Sequence, residues 1–133
     1  MKLLREVAIR HLLTIDPRST LRRASKVMTD RGVGCAVVVE KESVAGIVTE
    51  RDILHALAEG KDVDETTVDH VMTRDVVSGE PGWEIPEAVK AMSEGGFRHL
   101  LVMELNDPVG IVSLRDLMEA MVEAATSDGS QPS

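Results

Sequence analysis

The chain repeats itself at an offset of 64 residues. Residues 7–59, laid without a gap on 71–123, agree at sixteen of 53 positions, including Pro17/Pro81, Ala24/Ala88, Met28/Met92, Gly32/Gly96, Val38/Val102 and Asp52/Asp116. Average composition gives about three or four such identities by chance, and other pairs, such as Thr49/Ser113 and Ile53/Leu117, are like for like. One supersecondary unit has been copied once. Neither copy, at roughly 50 residues, buries enough apolar surface alone, so the two are expected to share one domain.

Apolar spacing switches in the same order in each copy. Leu21, Ala24 and Met28 fall at i, i+3, i+7, and Ile85, Ala88, Val89 and Met92 at i, i+3, i+4, i+7, which is one face of a helix. Gly32 and Gly96 stand where such a helix ends. Apolar runs at 36–39 and 100–103 come next, each followed by turn residues and a second run, 44–48 and 109–112, which predicts a hairpin. A second helix is marked by Ile53, Leu54 and Leu57, and by Leu114, Leu117, Met118, Met121, Val122 and Ala125. With a short extended piece before each proline, at 12–15 and 76–77, each unit reads β-α-β-β-α. The fold class is α+β, with repeat 1 at 1–64 and repeat 2 at 65–125, sheets packed together about a pseudo-two-fold axis and helices outside. The polar residues 126–133 are expected to fray as a disordered tail.

Composition narrows the function classes. Fifteen Lys and Arg against 23 Asp and Glu leave a net charge of -8, which argues against DNA, RNA or an anionic membrane as partner. Only 2% of residues are aromatic, too few to stack a single strand of nucleic acid. Cys35 is the single cysteine, so no intramolecular disulfide forms, and a reducing cytoplasm fits. Arg5, Glu6, Arg10 and His11 interrupt the N-terminal apolar stretch, unlike an export signal, and no uncharged run approaches the roughly 18 residues that span a bilayer.

Taken in order, the motifs resemble those of the CBS-domain (cystathionine β-synthase domain) pair, or Bateman module. The resemblance rests on Gly46-Ile47-Val48-Thr49-Glu50-Arg51-Asp52 and Gly110-Ile111-Val112-Ser113-Leu114-Arg115-Asp116, on residues 68–73 (Val-Asp-His-Val-Met-Thr) and on 97–102 (Phe-Arg-His-Leu-Leu-Val). It covers residues 3–124. Repeat 1 departs from the pattern where Ala8 and Ile9 stand for Met72 and Thr73, and where Gly34 and Cys35 stand for Arg98 and His99.

The spacing Thr49-x-x-Asp52, matched by Ser113-x-x-Asp116, lies where a strand enters a helix. One reading is a helix cap, in which hydroxyl and acid satisfy the first amides. The other uses the same place for a ligand: a helix N-terminus favours phosphate, and an Asp one turn in can accept from vicinal ribose hydroxyls. The resemblance implies the second, with Thr or Ser toward phosphate, Asp on ribose and adenine as base. It further implies Ile15 and Val77, and the strand starts Cys35-Ala36 and His99-Leu100, as walls for the base, although apolar residues there would be core in any fold of this pattern. The site of the first motif is then Ile15, Cys35, Ala36, Thr49 and Asp52. That of the second is Val77, Arg98, His99, Leu100, Ser113 and Asp116. Arg98 is the choice for phosphate, ahead of Arg18, Arg51 and Arg115, while Glu50 opposes a polyphosphate in the first site.

Catalytic and metal-binding readings find no constellation. The four His (11, 55, 70 and 99) show no ligand spacing, Cys35 on a strand reads as a small buried residue, and the glycines form neither GxGxxG nor a P-loop. Met118, Met121, Val122 and Ala125 extend an apolar stripe beyond what a small core needs. By resemblance such helices join two modules into a homodimer.

The expected function is therefore non-enzymatic. It is a regulatory module that needs no cofactor, binds AMP, ADP, ATP or S-adenosylmethionine in the clefts between repeats, and signals to an effector protein in trans. The alternative is an adaptor homodimer without a small-molecule ligand.

Overall fold

The computed structural model describes residues 2–8 and 12–127. Helix α1 (Leu4–Val7) comes first, then β1 (Thr14–Ile15), α2 (Leu21–Arg31), β2 (Cys35–Glu40), β3 (Ser43–Thr49) and α3 (Glu50–Ala58). After a single 3-10 turn at Val68–His70 come β4 (Ser78–Gly79), α4 (Ile85–Gly95), β5 (His99–Glu104), β6 (Asp107–Ser113) and α5 (Leu114–Ser127). The fold is mixed α+β, with two three-stranded sheets, β1-β2-β3 and β4-β5-β6. Helix α5 enters the segment assigned to the tail by two residues. Residues 128–133, and Ile9, Arg10 and His11 at the other end, lie outside the described residues.

The repeat is reproduced to the residue. Strand β1 pairs parallel with β2, which pairs antiparallel with β3, and β4, β5 and β6 do the same at +64. Even the bulges coincide, between Val38 and Val39 and between Val102 and Met103. Buried and exposed positions follow one pattern in β2 and β5 and another in β3 and β6. Gly32 and Gly96 close α2 and α4 at φ 66° and 70°, a left-handed conformation that a side chain resists.

Two compact units result, one from Leu12 to Val76 and one that joins the segment before residue 12 to the chain from Val77 onward. The core of the first gathers Leu13, Leu21, Ala24, Met28, Val38, Val48 and Ile53 with Val68. The core of the second gathers Ile85, Ala88, Met92, Leu100, Val102, Val112 and Leu117 with Leu4. Burial therefore cuts the chain elsewhere than the repeat does. Val68, inside the second repeat, is fully buried in the first core, and Leu4 is fully buried in the second. Leu4 is held there by backbone bonds, its own N–H to the Trp83 carbonyl at 2.8 Å and that of Arg5 to Pro81 at 3.0 Å.

The short β1 and β4 strands share their register but not their side chains. At +64 Ile15 falls on Gly79 and Ser19 on Trp83, and in the second unit the indole covers Gly79 so closely that a Cβ there would lie 2.9 Å from its Cε3. Indole in one copy takes the room that the Ile15 side chain occupies in the other. Among the described residues no helix is long and apolar enough to cross a membrane.

Candidate functional site

In the first unit the hairpin register sets Cys35 opposite Thr49 and Ala36 opposite Val48. Helix α3 starts directly after Thr49, so the strand end, the strand start and the first helical turn meet. The Thr49 N–H donates to Asp52 Oδ2 at 2.9 Å, and the Asp52 N–H donates to Thr49 Oγ1 at 3.2 Å. Two amides that would lack partners at a helix start are satisfied reciprocally. Both side chains are half-buried, and among the described residues Asp52 Oδ1 accepts no hydrogen bond.

The second unit repeats this arrangement. His99 lies opposite Ser113 and Leu100 opposite Val112. The Ser113 N–H donates to Asp116 Oδ2 at 3.2 Å and the Asp116 N–H to Ser113 Oγ at 3.0 Å. Each turn is also tied to its strand start, Glu50 N–H to the Gly34 carbonyl and Leu114 N–H to the Arg98 carbonyl, both at 2.9 Å. Arg98 is exposed and His99 half-buried. Asp116 also lines an open groove of 300 Å³ together with Lys2, Glu6, Glu119 and Glu123, with Lys2 paired to Glu123 at 3.6 Å. The lining of that groove is mostly acidic.

Cys35, Ala36, Thr49 and Asp52 thus come together, as do Arg98, His99, Leu100, Ser113 and Asp116. Ile15 pairs with Val38, three residues along from Cys35, or about 10 Å at the rise of a strand. Val77 precedes β4, and its carbonyl accepts from Leu101 N–H at 3.0 Å, as Leu13 does from Val37 N–H at 2.9 Å. Val77 is therefore the counterpart of Leu13, not of Ile15. Arg18 is engaged with Asp16 at 3.3 Å, while Arg51 and Arg115 stand exposed on their helices.

One neighbour of the first turn escapes sequence reasoning. The Glu50 carboxylate folds over Gly34, where a Cβ would meet its Oε1 at 3.1 Å. Glu50 and Gly34 are sixteen residues apart, and only the strand register brings them together.

The CBS-domain family model matches residues 4–59 and again 68–123. The CBS domain-containing protein YhcV of Bacillus subtilis is 34% identical over 88% of this chain and 84% of its own. The crystal structure of the CBS-domain containing protein ATU1752 from Agrobacterium tumefaciens is 27% identical, with a TM-score of 0.80 over 90% of this chain and 99% of that one. The same fold recurs in the CBS domain pair of MJ0100, solved with 5′-methylthioadenosine and S-adenosyl-L-methionine, at 21% identity and a TM-score of 0.81 over 92% and 98% of the two chains. Two β-α-β-β-α units in tandem, each closed by the same hydroxyl–aspartate turn and each matched by the same family model, make this chain a member of the CBS-domain family.

Proposed function

We propose that this chain is a regulatory module that binds an adenine nucleotide or an adenosyl compound at its hydroxyl–aspartate turns and signals occupancy to a partner protein in trans. The observation that carries the reading is the chemical capacity left over in both turns. Each hydroxyl oxygen accepts one amide and each aspartate uses one carboxylate oxygen as a cap. The O–H and the second carboxylate oxygen remain for a ligand. That oxygen can accept from ribose hydroxyls, and the hydroxyl and helix N-terminus suit a phosphate or other polar group. Strand-start groups at Cys35-Ala36 and His99-Leu100 read the base edge, and Ile15 and Val77 offer it apolar surface. Arg98 and His99 face the phosphate. The adenosyl ligands held by the MJ0100 pair are of the class this fold accommodates.

Signalling needs a second surface. Leu54 and Leu57 on α3 are 64% and 52% exposed, and their counterparts Met118 and Met121 on α5 are 50% and 39% exposed. Apolar positions left open at the same places in both copies suit a second copy of the chain. Leu57→Glu combined with Met121→Glu is expected to convert a dimer to monomer in sedimentation velocity; an unchanged mass would remove these helices from the interface.

A second reading is favoured by the completed caps themselves. Both boxes are satisfied without a ligand, as an adaptor dimer requires. Calorimetric titration with AMP, ADP, ATP, NAD and S-adenosylmethionine, on the wild type, Asp52→Ala and Asp116→Ala, separates the two. Binding that one aspartate change abolishes supports the regulatory module. No binding at millimolar ligand by a folded wild type refutes it and leaves the adaptor.

A further inference from the structure

The geometry points to two sites that sort ligands by charge, the first preferring an adenosyl group without phosphate, as a nucleoside, thioether or sulfonium. This rests on the adenosyl-binding reading above. The backbone of the two turns is the same, down to the 2.9 Å bond from the first helical N–H to the carbonyl of the strand start. Arg51 and Arg115, Asp52 and Asp116, and the two helix N-termini are common to both and cancel in a comparison. Cys35 against His99 and Thr49 against Ser113 differ as well, but the change in formal charge lies in one pair of positions. Gly34 with Glu50 in the first unit stands against Arg98 with Leu114 in the second.

These two positions are coupled in space. The Glu50 carboxylate reaches back over the Gly34 Cα, and a Cβ on residue 34 would meet Glu50 Oε1 at 3.1 Å and Cδ at 3.3 Å. Glycine at 34 therefore makes room for the carboxylate at the position where the second unit has an arginine. Among the described residues Glu50 has no cationic partner, so its charge stands uncompensated beside Asp52. From one site to the other the mouth changes by two unit charges. A phosphate entering the first meets two carboxylates, whereas a neutral thioether or a sulfonium meets none of its own sign. In the second site Arg98 supplies the countercharge.

The test uses the full chain with Asp116→Ala, which leaves the first site alone, titrated with adenosine, S-adenosylmethionine and AMP before and after Glu50→Gln. A like charge about 6 Å away in a setting midway between bulk water and a protein surface is worth about tenfold in affinity. Adenosine and S-adenosylmethionine are expected to bind at least about tenfold more tightly than AMP. Glu50→Gln, isosteric and exposed, should close that ratio by about the same factor, and Gly34→Arg with Glu50→Leu should reverse it. An AMP-to-adenosine ratio that Glu50→Gln leaves unchanged, or AMP preferred by the unaltered first site, overturns the sorting while the adenosyl reading stands. If no adenosyl compound binds the wild type at either site, both fall together.

Discussion

Consider Asp52 replaced in parallel by alanine and by asparagine. The carboxylate accepts from the half-buried Thr49 N–H at 2.9 Å and puts a negative charge in the first turn of α3. Alanine removes both. The lost bond is worth about 1–1.5 kcal/mol and the lost charge at a helix N-terminus about 0.3–1, so the expected cost is about 2 kcal/mol. Asparagine keeps an acceptor oxygen and loses only the charge, at about 0.5 kcal/mol. For a chain of this size the melting temperature should fall by about 6 °C with alanine and about 2 °C with asparagine. Circular dichroism melts at neutral pH read both. Equal falls would refute the acceptor geometry, and no fall with alanine would refute the cap.

The same pair reports on the ligand. Asparagine offers ribose a neutral acceptor where a charged one stood, weakening the site about tenfold, whereas alanine offers nothing and should weaken it by two orders of magnitude or so. A ligand at 100 times its dissociation constant adds about 2.7 kcal/mol of stability, more than the cap itself. Wild type should gain that protection, asparagine part of it and alanine none. Protection of the alanine variant equal to that of wild type would refute a ribose contact by Asp52.

Leu4→Ala should destabilise the second unit by about 3 kcal/mol, because Leu4 is fully buried in its core and a leucine cavity costs 2–5; urea unfolding that shifts by less than about 0.5 would remove α1 from that core. Gly79→Ile should clash with Trp83, and adding Trp83→Ser, which recreates the Ile15/Ser19 packing of the first unit, should restore part of the loss, a coupling of about 0.5–3 kcal/mol in a double-mutant cycle. Acid should weaken the fold through three aspartates held below the ordinary carboxylate value, Asp16 by the Arg18 amide and guanidinium, Asp64 by the Arg22 guanidinium and Asp69 by the Thr67 hydroxyl. With folded values below unfolded ones, the unfolded chain takes up protons first as pH falls below about 5, so stability is lost on acidification; Asp64→Asn should flatten the pH dependence of the urea midpoint, and an unchanged slope would discount the Arg22 pair.

The elements that sequence disclosed were those whose cause is local. Helices α2 and α4 follow from apolar spacing and a left-handed glycine, and the hairpins from apolar runs between turn residues. Their turns were less readable. Lys41 and Glu42 take φ 49° and 64° without the Asn or Gly that usually marks such a bend, so the strands run closer to the tip than the apolar runs suggest. Helix α1 has four residues, too few to show a period, and Val68 sits in a 3-10 turn; both matter because of distant cores they fill. At the site, Thr49 with Asp52 was legible because a cap is an i, i+3 relation. Glu50 over Gly34 was not, since it depends on the register of β2 and β3. The mismatch of Ile15 with Val77 was legible, since the offset of 64 puts Val77 on Leu13 and Ile15 on Gly79, and the strand pairing bears it out.

The contrast between the copies bears on whether these turns are only caps. Packing holds the interior of the two units to one pattern, but exposed positions beside a helix start change stability little, so their chemistry is free to follow another demand. A cap alone favours acids in the first helical turn and disfavours cations there. Glu50 obeys that rule. The second unit keeps Asp116 in that turn but has leucine at the first helical position, with Arg98 joined through its backbone to that residue. Leucine in place of an acid there forgoes about 0.3–1 kcal/mol. With an anion between Arg98 and the helix start, that sign reverses: guanidinium, hydroxyl and the positive helix end then serve one negative group, and leucine removes the carboxylate that would repel it. A turn with an arginine beside it and no acid at its first helical position suits an anion better than the first turn does, which is the physical reason to test phosphate at Ser113 first.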